Sequence, residues 1–280
     1  MAATYTPFPN EVVEKAINDF LVSKVELRGY CTLDNSLTEN PGMTKVIRRY
    51  TKYGQAVEVA PGEDVEAAGG TRMAVSWDDE EYTVKAMQQE FHAYDEDTMT
   101  DPFFVDRGIE AIGEALWNNL QEEIVAEWEK CENIIYTGAE GQDPDFDNFV
   151  DAIASLNLED ADENGFVALC GPAMKGKLRK KLRNDLKYVE GYVREGYIGH
   201  VLGIPLVVSK LVADGEIIIT DANAVKVFNK KGVSASQDRF NATRETVYVG
   251  NMYYIAALVD EKKCVLILEG EEPAAEEDGQ

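Results

Sequence analysis

Histidine is nearly absent from this 280-residue chain, which has only His92 and His200. They fall in separate segments, one strand-like and one hairpin-like, so no paired-histidine metal or acid-base site is encoded locally and a structural role for each is expected. Cysteine is sparse as well. Cys31, Cys131, Cys170 and Cys264 lie far apart with no Cys-x-x-Cys pair, which leaves scattered reduced thiols rather than a zinc site or a disulfide framework. Basic residues are outnumbered, 27 Lys and Arg against 52 Asp and Glu, for a formal net charge of −25. Such a surface repels polyanions, so a chain that grips nucleic acid or an anionic membrane is not expected. Charge-free runs stop at 14 residues, as at 196–209, which also carries Gly199, Gly203 and Pro205. That is too short and too broken to span a bilayer. The first ten residues lack the basic and apolar regions of a signal peptide, so synthesis in the cytosol is expected. Gly-x-Ser-x-Gly, Gly-x-x-x-x-Gly-Lys-Ser/Thr and His-Glu-x-x-His are all missing, and with them any nameable nucleophile, base or phosphate loop. No catalytic residue, cofactor or metal is expected.

What is present is organised around one stretch, residues 101 to about 132. Val105, Ile109, Ile112, Leu116, Leu120, Ile124, Trp128 and Cys131 recur at steps of three and four, which places them on one face of a long helix. Asp101 is a candidate N-cap with Pro102 at the first helical position, and Asn133 then Gly138 offer the stop. The spacing predicts a spine roughly 45 Å long. Before it, 10–25 reads as a short amphipathic helix with Val13, Ile17, Phe20 and Leu21 on one side. From 29 to 43 periodicity is lost, and an arm or linker is expected.

Two β-rich runs, 45–59 and 71–84, flank a tip marked by Pro61, Gly62, Gly69 and Gly70. They predict a hairpin reaching roughly 45 Å. Arg48, Arg49 and Lys52 in the outgoing run meet Asp78, Asp79, Glu80 and Glu81 in the return. A ribbon of that length is marginal alone, so a partner subunit is one natural support and its own domain the other.

After the spine, Asp145 or Asp147 is expected to cap a helix carrying Phe149, Val150, Ile153 and Leu156. Asp143, Asp145 and Asp147 have alternate spacing like part of a calcium loop, but lack the following glycine and distal glutamate. Helix capping and solvation is the better reading. An acidic loop, 157–165, precedes a short buried strand at 166–170; Pro172 opens a helix to about Leu186, and a hairpin turns around Gly203. A strand at 216–220 is followed by Asp221, read as the cap of a short helix ending near Gly232. The runs 243–259 and 264–268 read as strands that need the spine to cover them, and 269–280 as a disordered acidic tail. Against the acidic background stands one basic helix with Lys175, Lys177, Arg179, Lys180, Lys181, Arg183 and Lys187. Polyanion binding, solvation and contact with an acidic neighbour are all open to it, and self-contact or solvation is favoured.

The run Phe166-Val-Ala-Leu-Cys-Gly-Pro-Ala-Met, the basic helix, and then Gly196-Tyr-Ile-Gly-His-Val-Leu-Gly-Ile-Pro-Leu-Val-Val-Ser209 resemble the axial domain of tailed-bacteriophage major capsid proteins. The order of Ala224-Val-Lys-Val-Phe228, Arg239, Thr243-Arg-Glu-Thr246 and the terminal apolar strands is similar to the C-terminal part of those coats. The long hairpin matches their extended E-loop and the 101–132 helix their spine. The resemblance, from about 45 to 268, implies an α+β capsid fold: N-terminal arm 1–44, E-loop 45–83, peripheral domain 84–144 with 241–270, inserted axial domain 145–240 and acidic tail 271–280. It implies a structural, non-enzymatic subunit that assembles as pentamers and hexamers into an icosahedral virion shell around double-stranded DNA, without reading its sequence. A separate scaffolding protein, a portal and synthesis in a bacterial host cytoplasm follow as expectations. The candidate intersubunit residues are Arg48, Arg49, Lys52, Glu63, Asp64, Asp78, Asp79, Lys177, Lys180, Lys181 and Arg183. Two other readings stand beside this one. An encapsulin-like compartment would use the same fold to enclose cargo enzymes, and a small-molecule enzyme would occupy 145–240.

Overall fold

The computed structural model describes residues 10–23, 27–39, 41–53, 57–59, 61, 64–66, 74–101, 103–138, 143–156, 165–181 and 200–271. These form two compact units, one of 41–84 and one of the remainder.

The smaller unit is the hairpin of β2 (Thr44–Tyr53) and β3 (Ala74–Thr83), paired antiparallel from Thr44 opposite Thr83 to Tyr53 opposite Ala74. Each described strand has ten residues, about 33 Å at the usual rise, and 54–56 and 71–73 lie outside the described residues.

In the larger unit, α1 (Asn10–Ser23) is followed by a 3-10 turn (Leu27–Tyr30), β1 (Thr32–Asp34) and α2 (Ser36–Glu39). Within 29–43, expected as an arm or linker, Cys31 and Leu37 are buried, and β1 pairs parallel with β10 (Val225–Phe240). Side-chain and backbone bonds add to the attachment, with Thr38 Oγ1 donating to Asn229 O and Lys230 Nζ to Leu37 O.

β4 (Lys85–Tyr94), β10 and β11 (Glu245–Leu258) complete a four-stranded sheet in the order β1-β10-β11-β4. Tyr248, Met252, Tyr254, Ala256 and Leu258 alternate along β11 toward one face, as a half-buried strand requires. Onto that face packs α4 (Phe104–Trp128), whose predicted apolar row is buried from Val105 to Trp128. The helix starts three residues later than Asp101. Phe103 is its N-cap without a side-chain bond, while Asp101 accepts the Phe103 and Phe104 amides through its side chain and carbonyl. A short helix, α3 (Asp95–Thr100), fills the approach, so Asp101 closes an entry turn and not the first turn of α4. Pro102 lies outside the described residues. At 25 residues α4 is about 37 Å long.

Two glycines set how closely the layers approach. The Phe91 ring of β4 lies against Gly108 of α4, and a Cβ on Gly250 of β11 would stand 2.6 Å from Ile112 Cγ2 and 3.1 Å from Ile17 Cδ1. Only glycine leaves that room.

A second sheet, in the order β5-β12-β9-β6-β8-β7, comprises β5 (Ile134–Tyr136), β6 (Phe166–Cys170), β7 (His200–Val201), β8 (Ile204–Val208), β9 (Glu216–Asp221) and β12 (Cys264–Leu268). Its two faces separate by alternation. Leu169, Ile218, Cys264 and Leu266 join the core around Trp128; Phe166, Ala168, Cys170, Ile217, Ile219, Val265 and Ile267 face α5 (Phe146–Ser155) and α6 (Pro172–Lys181). Asp145 caps α5 in a capping box with Asn148, and Phe149, Ala152 and Leu156 are buried, whereas Val150 is exposed. The β7–β8 turn has positive φ at both Leu202 and Gly203, the requirement of a type I′ hairpin. The basic helix is described only to Lys181.

One expectation fails after β9. Asp221 opens a tight turn, with Ala224 N donating to Asp221 O, and β10 follows in place of a helix. The register shifts between Asn229, Lys231 and Ser234 break the period-two pattern that would have marked the strand. β12 finds its partners in β9 and β5, and its Cys264 and Leu266 join the core of the spine. The 145–240 segment therefore sends β6, β8 and β9 to one sheet and β10 to the other. The acidic loop 157–164 and the tail beyond 271 lie outside the described residues.

Candidate functional site

A chain read as self-assembling carries its function on surfaces, so the placement of each candidate contact residue decides what the surfaces can do. In the hairpin, Arg48 donates to Asp79 through Nε at 2.7 Å and Nη2 at 3.0 Å, directly across the ladder, and Arg49 Nη2 meets Glu80 at 2.8 Å. Paired in this bidentate way, Arg48 holds the Asp79 carboxyl below the usual carboxylate range. Asp78 stands opposite Arg49. The Lys52 backbone pairs with Val75, but its side chain, like Glu63, lies outside the described residues. Asp64 accepts the Val65 amide at 2.8 Å.

The candidate charges of the hairpin are thus largely answered inside it. What the sequence reading missed is its apolar face. Val46, Tyr50, Val75 and Trp77 are 49, 59, 48 and 56% exposed, and the register puts all four on one side with Arg48, whose guanidinium lies 5.7 Å from the Trp77 ring centre. Alternation within 44–53 and 74–83 carried that signal. The charges interleaved with it obscured it.

The basic helix is likewise partly neutralised by its own chain. Lys177 Nζ meets Glu269 at 2.6 Å and Asp143 at 3.5 Å, and Lys181 meets Asp145 at 3.9 Å. The Glu269 hydrogen bond leads the causes that raise the Lys177 pKa. Lys180 is exposed, and Arg183 lies outside the described residues. Asp143 and Asp145 therefore serve as an ion-pair partner and a helix cap.

His92 sits between Glu245 at 3.3 Å and Glu90 at 3.7 Å; His200 is exposed on β7. All four cysteines are buried and free, with Cys131 Sγ donating to Cys264 O at 2.8 Å. Burial pushes the Cys31 thiol to about 12 and Cys170 to about 11. Among the described residues, no group of three or more His, Cys, Asp and Glu is placed to hold a metal, and no helix is long and apolar enough to cross a membrane.

The described fold thus comprises a spine packed on a four-stranded sheet, a second mixed sheet with its own helical layer, and a two-stranded ribbon. Solved structures share this fold. The chain is similar to a native GTA particle capsid (TM-score 0.68, 11% identity, 96% of this chain and 94% of that one) and to the mature capsid of bacteriophage PhiM1 (0.66, 13%, 89% and 88%). It is also similar to a virus-like particle from Pyrococcus furiosus (0.62, 13%, 92% and 98%). The fold is that of the tailed-phage major capsid proteins. No protein-family description matches the sequence, and no curated protein matches it significantly.

Proposed function

We propose that this chain is the structural subunit of an icosahedral viral shell that associates as pentamers and hexamers and encloses double-stranded DNA. The carrying observation is the hairpin. Two strands alone are marginally stable in water, yet this one keeps its ion pairs internal and leaves Val46, Tyr50, Val75 and Trp77 open on one face. An exposed apolar face of that kind marks a contact surface. A second copy is the partner that a shell supplies at every position.

In this reading the β2–β3 ribbon is the E-loop. The spine with β4, β10 and β11 makes the peripheral domain, and the second sheet with α5 and α6 the axial domain. The subunit is structural and non-enzymatic, resides in the virion, and is made in a bacterial host cytoplasm. A separate scaffolding protein and a portal complete the assembly, and DNA is held without sequence reading, as the net charge of −25 favours.

One observation favours a second reading. Val13 and Ile17 of α1 are buried against the spine core, a placement compatible with the N-terminal helix of encapsulin compartments that enclose cargo enzymes. An enzyme in 145–240 has no comparable support among the described residues.

Negative-stain microscopy of the expressed protein is the test. Closed shells are expected, and a monodisperse monomer or dimer at high concentration overturns the proposal. The contents of purified particles, DNA or a protein cargo, separate the two shell readings.

A further inference from the structure

Two of the four cysteines meet. Cys131, in the turn that leaves α4, and Cys264, the first residue of β12, are 133 positions apart in sequence, yet Cys131 Sγ donates to Cys264 O at 2.8 Å. Cys264 Sγ lies 3.9 Å from Trp128 O, the same carbonyl that accepts the Cys131 amide at 3.1 Å. The two thiols also hydrogen-bond to each other, and that bond leads the causes that lower the Cys131 pKa and raise that of Cys264. Parallel pairing of β5 with β12, with Leu266 N donating to Asn133 O at 2.9 Å, holds the two backbones side by side. Adjacent backbones are what a disulfide requires.

Access differs between the pair. Cys264 is fully buried and Cys131 is 2% exposed, but Glu129, Lys130 and Glu132 around Cys131 are exposed. A local opening of that one turn uncovers Cys131 without unfolding the sheet, and Cys264 lies behind it. The more acidic thiol, hence the better nucleophile, is the outer one. Cys31 and Cys170 have no thiol partner among the described residues, and burial raises both.

We propose that Cys131 and Cys264 form a reversible redox pair, in which hydrogen peroxide closes a disulfide between the end of the spine and β12. The Cys131 thiol gives its proton to water, and the thiolate attacks one peroxide oxygen. The O–O bond breaks and the leaving hydroxide takes up a proton, which yields a sulfenic acid on Cys131 and one water. The Cys264 sulfur then attacks the Cys131 sulfur; the S–O bond breaks, and hydroxide leaves with the Cys264 proton as a second water. Two thiols have lost two electrons to one peroxide. A reducing cytosol keeps the pair open, and an oxidising medium closes it. Both residues lie in one subunit, so the pair does not depend on the shell reading.

The test treats the purified full chain, folded and reduced, with hydrogen peroxide, then unfolds it, alkylates the remaining thiols and maps the peptides by mass spectrometry. The expected product is a peptide pair joined through Cys131 and Cys264 and lighter by two hydrogens, with Cys31 and Cys170 alkylated. Because the bridge closes a long loop, the melting temperature should rise by at least about 5 °C, and dithiothreitol should reverse both changes. Cys264→Ala permits the first step without the second, so a sulfenic acid at Cys131 that dimedone traps is expected. Cys131→Ala should show neither the adduct nor the thermal gain. Where a variant does not fold, the wild-type map and its reversal decide. Cys131 and Cys264 both recovered as alkylated thiols, a bridge to Cys31 or Cys170 in place of this one, or a thermal gain that persists in Cys131→Ala overturns the pair.

Discussion

Gln121 of α4 is fully buried, and its Oε1 accepts the backbone amide of Leu27 at 2.9 Å, across 94 positions of sequence. A buried glutamine needs such a partner, and here the bond ties the turn after α1 to the middle of the spine. Leu27 is itself 1% exposed, so its amide has no access to water.

Replacing Gln121 by leucine fills the space and strands that amide. The expected cost is about 1–3 kcal/mol, the penalty of an unsatisfied buried donor, read as a lower urea midpoint with an unchanged slope. An unchanged midpoint would show that the 27–30 turn finds another acceptor.

Gly250 is one of two close approaches of sheet to helix, with Gly108. A methyl there meets Ile112 Cγ2 at 2.6 Å, and Ile112 is 1% exposed, so the neighbour has nowhere to go. Gly250→Ala should cost about 1–3 kcal/mol by overpacking. Paired with Ile112→Ala it should cost less than the sum of the two single changes. Additivity in thermal unfolding would place the two residues out of contact.

Shortening the ribbon tests its role. Replacement of 56–72 by an Asn-Gly turn removes the tip and keeps the β2–β3 ladder up to Tyr53 opposite Ala74. A soluble, cooperatively melting subunit that no longer closes shells is expected, since a small loss per contact is multiplied over every copy. Circular dichroism and sedimentation velocity on one sample read both halves. Shells of normal size would remove the ribbon from the assembly contacts, and unfolding would return it to its own subunit's core.

Acid response should have two opposed parts. Asp95, held down by Arg239, and Glu245, held down by Thr243 and then His92, lie below the usual carboxylate range. Their contribution is present above the unfolded value, about 4, and is lost as pH falls through the folded values. Glu129 is the reverse case. Burial and then the nearby Glu216 raise its carboxyl, so its charge weakens the fold at neutral pH and protonation relieves this as pH falls through the raised value. Glu129→Gln is therefore expected to raise the melting temperature at pH 7, by under about 1 kcal/mol at this partly exposed site. The gain should vanish near pH 4. A loss at pH 7 would mean that the carboxylate accepts a stabilising bond.

The spine, the hairpin, the Asp145 cap and the Gly203 turn were legible because each is a local pattern: a helical period, a run of β-branched residues, an N-cap, a glycine with positive φ. The second half of the fold was not. β10 was hidden by its own register shifts, and the sheet partners of β12 were left open, because the choice between neighbouring β-partners lies in packing and not in composition.

The candidate contact surfaces divide the same way. Sequence alone determined that the chain is acidic, nearly without histidine, and punctuated by one basic helix. It also placed Arg48 and Arg49 in the strand that pairs with the one holding Asp79 and Glu80. Only the tertiary structure decided that these charges, with Lys177 and Lys181, are mostly matched within the subunit, leaving Trp77, Tyr50, Phe146 and Val150 open. The reason is physical. Exposure is a property of what lies beside a residue, and what lies beside Lys177 is Glu269, 92 positions along the chain.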